Sequence, residues 1–328
     1  MQRKPSVLSL ILLGTGVFLL TLAPLLVVRV LPEAKRTPLD IDTTTVFTGT
    51  GSYFDTTRLK TVHEQKITIT RQVRGDVAAG ASSGNAVWDV ATSVDTDATL
   101  PASDPRDSLQ WTRERWVTDR RSNAPVHCCK ESPAFDGEAY LKFPFDVEER
   151  DYLWWDGTLG GTVLLRYTGA ATVQGHEGMR FTGSVPPTRT GVRQVPGKLV
   201  GLPDKPQVFA EEWYANNQVE LVVDQRTGRI LHAATGPRKT LRAPKTDQDA
   251  VVLMASDRLA FTEQTQRHQV QLAEAAGNQL ELLGSTVPLG AGTLGAVLAL
   301  AGGILVFRGR SADPTAPVDT HPEKHPTG

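Results

Sequence analysis

VTDRRSNAPVH, residues 117–127, and VVDQRTGRILH, residues 222–232, align without a gap. Val, Asp, Arg and His coincide, Ser122 meets Thr227, Asn123 meets Gly228, and Val126 meets Leu231. Each copy reads as a strand, a tight turn and a returning strand. Asp119 and Asp224 can accept hydrogen bonds from turn N–H groups, while Asn123 and Gly228 tolerate the positive φ that such turns require. A duplication accounts for the echo and predicts two related β halves, about 40–145 and 146–260. The alternative is that strand-Asp-x-x-Thr-Gly-strand is a pattern which unrelated β proteins reuse. Under duplication, the matched His127 and His232 are structural hairpin residues rather than ligands.

Outward from these hairpins the texture stays strand-like, from Val46 to about Leu241. KITITRQV (66–73), TVLLRY (162–167) and QVELVV (218–223) are β-branched or aromatic runs bounded by turn formers, and helical periodicity is missing. The class this predicts is mainly antiparallel β over 32–260. After Leu241 the pattern changes. FTEQTQRHQVQLAEAAGNQLELLG (261–284) reads as a C-terminal, juxtamembrane helix over 261–285, with Thr262 as N-cap. Val270, Ala273, Gly277 and Leu280 share one face, and Gly284 is a stop signal.

The ends place this domain. Val7–Val28 and Val287–Phe307 carry no charge and are long enough to cross a hydrocarbon core of ~30 Å as helices. A cleaved signal peptide is the rival reading of the first. Its apolar run, however, continues past Thr21-Leu22-Ala23, where Pro24 follows. Arg3 and Lys4 flank one span, and Arg308 and Arg310 the other. Basic flanks collect on the cytoplasmic side, so the expectation is a two-pass plasma-membrane protein. Residues 1–31 and 286–307 form the anchors, both termini are cytoplasmic, and the main domain is extracytoplasmic. Residues 308–328, proline-rich and without apolar periodicity, read as a disordered cytoplasmic tail. With 35 Lys and Arg against 36 Asp and Glu, spread along the chain, nothing points to nucleic acid. In the second span, Gly292 with Ala296 and Ala299 with Gly303 have small-xxx-small spacing, which lets a partner helix approach closely.

Two stretches are candidates for chemistry. LKFPFDVEERDYLWWDG (141–157) lies between the hairpins and holds Phe143, Phe145, Tyr152, Trp154 and Trp155. These either pack the junction of two sheets or line a cavity for an acyl chain or sugar. On a strand, Trp154 and Trp155 point to opposite faces. The other stretch is His127-Cys128-Cys129, which contains the chain's 2 cysteines. Outside the cytoplasm disulfides persist, so an adjacent Cys128–Cys129 bond is one reading. Two buried free thiols, or a redox, metal or intermolecular role, are the others. The spacing does not suit a structural zinc site, and no metal or cofactor is expected. Asp146, Glu148, Glu149, Glu211 and Glu212 are the carboxylates that an enzyme on envelope glycans would draw on, but sequence does not place any two of them across a glycosidic bond. No catalytic residue is assigned.

The two-span layout and the FPFDVEERDYLWWD stretch (143–156) resemble an actinobacterial membrane-protein family labelled porin A. Its members include a mycobacterial and corynebacterial protein implicated in maturing lipomannan and lipoarabinomannan. The resemblance covers nearly the whole chain. It implies an elongated, barrel-like β ectodomain able to hold lipid, with a phospholipid or phosphatidylinositol-type glycolipid as partner. The Cys128–Cys129 pair departs from the family pattern. A pore is a poor reading: a lipid-facing barrel needs an apolar outer face, and the strands here carry charge on alternating positions. The expected function is therefore lipid binding or presentation in envelope assembly. An enzyme on envelope glycolipids, or a structural partner of a membrane glycosyltransferase, is the alternative.

Overall fold

The computed structural model describes residues 7–100 and 107–311. The chain divides into two compact units, one spanning Lys35–Asn278 and the other built from the stretches through Ala34 and from Gln279 onward.

The larger unit is a single antiparallel sheet of 11 strands. The first meander is β1 (Asp42–Asp55), β2 (Lys60–Gly75), β3 (Ala86–Thr96) and β4 (Gln110–Thr118), with a short helix (Val77–Ser83) between β2 and β3. The second is β5 (Tyr152–Asp156), β6 (Gly161–Val173), β7 (His176–Val195), β8 (Val208–Val223) and β9 (Ile230–Arg242). The strands β10 (Asp249–Ser256) and β11 (Leu259–Phe261) each pair with β1 on one side and β9 on the other, which joins the meanders into one sheet.

The sheet is curled. Val94 of β3 and Tyr152 of β5 lie near opposite ends of the strand order, yet both pack in one core with Phe47, Ile67, Phe143 and Phe181. A flat sheet could not bring them together. The outer strands are bridged by an irregular segment: Pro125 and Ser132 pair with β4, and Ala139 pairs with Trp154 of β5. The result is the mainly antiparallel β class expected from the sequence, in the barrel-like form that the family resemblance implied, with the bridging segment in place of a closing strand.

Both turns of the echo close as read, but only the second has the expected returning strand; the first continues as an isolated bridge at Thr118–Pro125. The Asp119 carboxylate accepts the Arg121 and Ser122 amides at 2.9 and 2.7 Å, and the Asp224 carboxylate accepts the Thr227 amide at 2.7 Å. Asn123 and Gly228 take φ of 61° and 70°. The same device also closes two other hairpins. Asp55 accepts the Thr57 and Arg58 amides, and Asp156 accepts those of Thr158 and Leu159. An aspartate at the strand end is thus this chain's general way of turning.

The helix Glu263–Glu281 is capped as expected, the Thr262 hydroxyl accepting the Thr265 amide at 3.2 Å. Its Val270 and Ala273 pack on Val173, Val222 and Leu231 of the sheet. The expected stop at Gly284 does not occur. A π-helical turn, Leu282–Thr286, leads directly into a further helix, Val287–Ser311, so the start of the expected tail is helical and its remainder lies outside the described residues. Gly284 serves close approach instead: a Cβ there would lie 3.2 Å from a Leu31 methyl.

In the smaller unit, the N-terminal helix (Val7–Leu25) packs along Val287–Ser311. A Cβ on Gly16 would stand 2.4 Å from the Ala299 nitrogen, and one on Gly302 would stand 2.6 Å from the Leu13 nitrogen. The close stripe is Gly295, Ala299 and Gly302; of the pairs read from spacing, Ala299 lies in it, while a Cβ on Gly292 would only reach the Ala23 methyl, at 3.9 Å. Gly303 has no neighbour within 4 Å, because the partner helix runs along the adjacent face. The first helix and the second are each long and apolar enough to cross a membrane.

Candidate functional site

The inner face of the sheet can be read from register, because residues directly opposite on paired strands share a face, as do residues i and i+2. On β2 that face carries Ile67, Ile69, Arg71 and Val73, and Ile67 and Val73 are core. Arg71 lies opposite Thr92, Thr92 opposite Thr112, Val90 opposite Glu114 and Val94 opposite Gln110, which places Gln110, Thr112 and Glu114 on the inner face of β4. Lys239 lies opposite the buried Tyr214.

These residues form a polar layer within an apolar interior. Tyr140 donates to the Glu114 carboxylate at 2.5 Å, with the Arg71 guanidinium 5.5 Å from its ring centroid. Tyr214 donates to Asp156 at 2.8 Å and accepts from the Asn216 amide at 3.2 Å. Arg193 pairs with Glu212, and Lys239 reaches Gln110 at 3.5 Å. Burial pushes both phenols above the ordinary tyrosine range, with Asp156 adding to the effect at Tyr214, so both remain donors. Burial holds the Lys239 ammonium below its ordinary range. Gly157 lies close under this layer: a Cβ there would sit 2.9 Å from a Glu114 oxygen and displace that carboxylate. The Trp155 indole N–H, fully buried, has no partner among the described residues.

The five aromatics named from sequence separate into two groups. Phe143 and Tyr152 are core, each within 5.6 Å of the Phe181 ring, and Trp155 packs on Phe135 at 5.4 Å. Phe145 and Trp154 stay half-buried. Phe145 lies under the Lys142 ammonium, 3.8 Å from its centroid, and burial pushes that lysine down to about 7. The Trp154 indole donates to the Tyr140 carbonyl at 3.1 Å. Alternation separates Trp154 from Trp155, yet both reach the same aromatic cluster, because residues 135–140 run along β5 and offer packing to each.

Cys128 and Cys129 are bonded to each other. Their turn is also held by Arg115, whose Nε donates to the Cys129 carbonyl at 2.9 Å, and by His127 against Glu131 at 2.7 Å. The enzyme-type carboxylates are dispersed. Asp146 pairs with Lys35, Glu148 with Arg150, Glu211 with Arg189 and Glu212 with Arg193, while Glu149 is exposed. Among the described residues, no group of three or more His, Cys, Asp or Glu is placed to hold a metal.

Arg71, Glu114, Tyr140, Asp156, Tyr214, Asn216 and Lys239 were missed by sequence reasoning. One signal was available. In KITITRQV the apolar alternation Ile67, Ile69, Val73 is interrupted by Arg71, a charge on the core face.

With the fold and the inner face described, comparison with known families is decisive: the porin PorA family matches residues 8–304. The chain belongs to that family. The PorA match takes in both apolar helices and the entire sheet, so it rests on the whole architecture, and with those helices it makes this a membrane-associated protein. Comparison with curated proteins finds no match.

Proposed function

We propose that this PorA-family chain binds or presents lipid in the cell envelope, anchored at both ends in the plasma membrane with its sheet unit on the extracytoplasmic side. The observation that carries the reading is incomplete burial on the inner face. Ile69, Trp154, Leu159, Tyr167 and Met254 pack against the core yet remain only partly buried, as apolar lining for an acyl chain would be. Phospholipids and phosphatidylinositol-type glycolipids suit this lining and the polar layer beside it. A role in maturing lipoglycans, beside a membrane glycosyltransferase, is the corresponding biological reading.

The outer face argues against a lipid-facing barrel. Glu220 is flanked there by Arg180 and Arg258, and Asp249 by Arg238 and Arg242. Each such arginine at the bilayer midplane costs about 2–4 kcal/mol when it faces lipid, and the carboxylates cost less. Native mass spectrometry of the full-length protein, purified in neutral detergent, tests the proposal. Copurified lipid is expected, with reduced retention in Trp154→Ala at unchanged secondary structure. A protein that carries no lipid and takes up none from mixed micelles would overturn it.

A further inference from the structure

We propose that Arg71 and Lys239 form an anion site on the inner face of the sheet, one that takes a phosphate or phosphodiester group. Of the inner-face charges Glu114, Asp156, Glu212, Arg71, Lys239 and Arg193, only Arg193 and Glu212 form an ion pair among the described residues. Each carboxylate already has its own donors: Glu114 the Tyr140 hydroxyl, Asp156 the Tyr214 hydroxyl and two turn amides, Glu212 the Arg193 guanidinium. Arg193 is spent on Glu212, which leaves Arg71 and Lys239. Among the described residues neither forms an ion pair. Arg71 reaches the Thr92 hydroxyl at 3.4 Å, and Lys239 reaches the Gln110 amide oxygen at 3.5 Å.

Register brings these two cations to the same place. Arg71, Thr92 and Thr112 stand in one row across β2, β3 and β4, and Gln110, which Lys239 approaches, is two residues from Thr112 on the same face. Two residues of strand are about 7 Å, which flexible arginine and lysine side chains can span from either side of one phosphate. Neither half-buried cation has a carboxylate within ion-pair distance among the described residues, and an incoming anion supplies the direct contact that the more distant Glu212 and Asp156 do not give Lys239. The guanidinium fork matches two phosphate oxygens, and the ammonium supplies a point charge. The partly buried apolar residues Ile69 and Met254 lie on the same face, Ile69 two positions from Arg71 and Met254 opposite Lys239. An acyl chain and an acidic headgroup could therefore be held side by side.

The inference rests on the lipid reading only for the source of the anion, which is either a lipid headgroup or free phosphate. The experiment uses delipidated full-length protein in neutral detergent. Binding is measured for phosphatidylglycerol, for diacylglycerol with the same chains, and for inorganic phosphate. The phosphate-bearing lipid should bind about tenfold or more tightly than diacylglycerol. Arg71→Gln with Lys239→Gln should abolish that preference while diacylglycerol binding persists. Arg71→Lys and Lys239→Arg, which keep the charge, guard against loss of fold and should keep most of the preference. Equal binding of the two lipids by the unmodified protein, or a preference unchanged in the double variant, overturns the anion site and leaves the lipid reading standing. Phosphate binding that the double variant loses, with no lipid bound at all, upholds the site and removes the lipid reading. Binding of neither lipid nor phosphate overturns both.

Discussion

The turns at Asp119–Asn123 and Asp224–Gly228 are closed by matching hydrogen bonds, yet the chain leaves them differently. After Gly228 it returns as β9, fully paired with β8. After Asn123 it makes a bridge at Thr118–Pro125 and one more bond, from the Val126 amide to the Val117 carbonyl, and then breaks into the Cys128–Cys129 turn. Pro125 has no N–H to extend a ladder, while Ile230 at the matching position has one. Residues 138–147 lean on both turns, again by different means. The Asn123 amide donates to the Glu138 and Lys142 carbonyls at 3.2 and 2.9 Å. Gly228 lets the Phe143 and Pro144 carbonyls come so close that a Cβ would lie 2.2 and 2.1 Å from them. Local sequence sets the turn, and long-range packing decides what each turn is used for.

Exchanging the two residues should break the comparison most sharply. Gly228→Asn places a side chain in the left-handed region against two backbone oxygens that cannot move independently of the core. It should cost more than about 3 kcal/mol, read as loss of folded protein or a large fall in the thermal midpoint. Asn123→Gly tolerates its φ and loses two hydrogen bonds, for about 1–2 kcal/mol. Similar losses from the two substitutions would mean that residues 138–147 do not bind the turns as described.

The two aspartates sharpen the comparison at smaller amplitude. Asp224 is buried, accepts from the Thr227 amide and hydroxyl, and meets His176 at 2.9 Å. Asp224→Ala should cost about 2–3 kcal/mol and Asp119→Ala, at the more open turn, about 1. Asp119 also makes the first turn sensitive to acid. The Ser122 amide holds its carboxyl below the ordinary aspartate range, so the folded state binds this proton less readily than the unfolded chain does. The resulting stabilisation is present above the unfolded aspartate pKa, ~3.9, and is lost as pH falls through the lower folded value. Asp119→Asn should flatten that part of the stability-versus-pH curve. An unchanged acid limb would remove Asp119 from the account.

Much of this was legible in the sequence. Period-2 runs marked the strands, aspartate with a following Asn or Gly marked the turns, and uncharged stretches marked the helices. The bridging segment 119–151 was not legible, because its backbone partners, Arg115, Leu153 and Gly228, are supplied by distant strands rather than by any local period. The inner polar layer was hidden for a related reason. Arg71 announces itself as a charge in an apolar row, but nothing in a one-dimensional pattern brings it to Tyr140 or brings Lys239 to Gln110. The helix interface was read only in part: Ala299 belongs to it, but small-xxx-small spacing occurs more than once in Val287–Ser311 and only the partner helix selects Gly295 and Gly302.

The smallest effect is expected where the first hairpin departs most visibly from the second, at its cysteines. A disulfide stabilises chiefly by constraining the unfolded chain, and adjacent residues enclose almost no chain, so the constraint is worth about 1 kcal/mol. The folded turn has other supports: the Arg115 guanidinium on the Cys129 carbonyl, reciprocal backbone bonds between Arg115 and Ser132, and the His127–Glu131 contact. Non-reduced peptides should show the pair two hydrogens lighter than the dithiol, which checks the bond itself. Cys128→Ser with Cys129→Ser should then lower the thermal midpoint by only a few degrees and leave lipid retention unchanged. A collapse of stability would mean that the bond, not Arg115, organises the segment that closes the sheet. Loss of lipid retention with the fold intact would move the cysteine turn from scaffold to site.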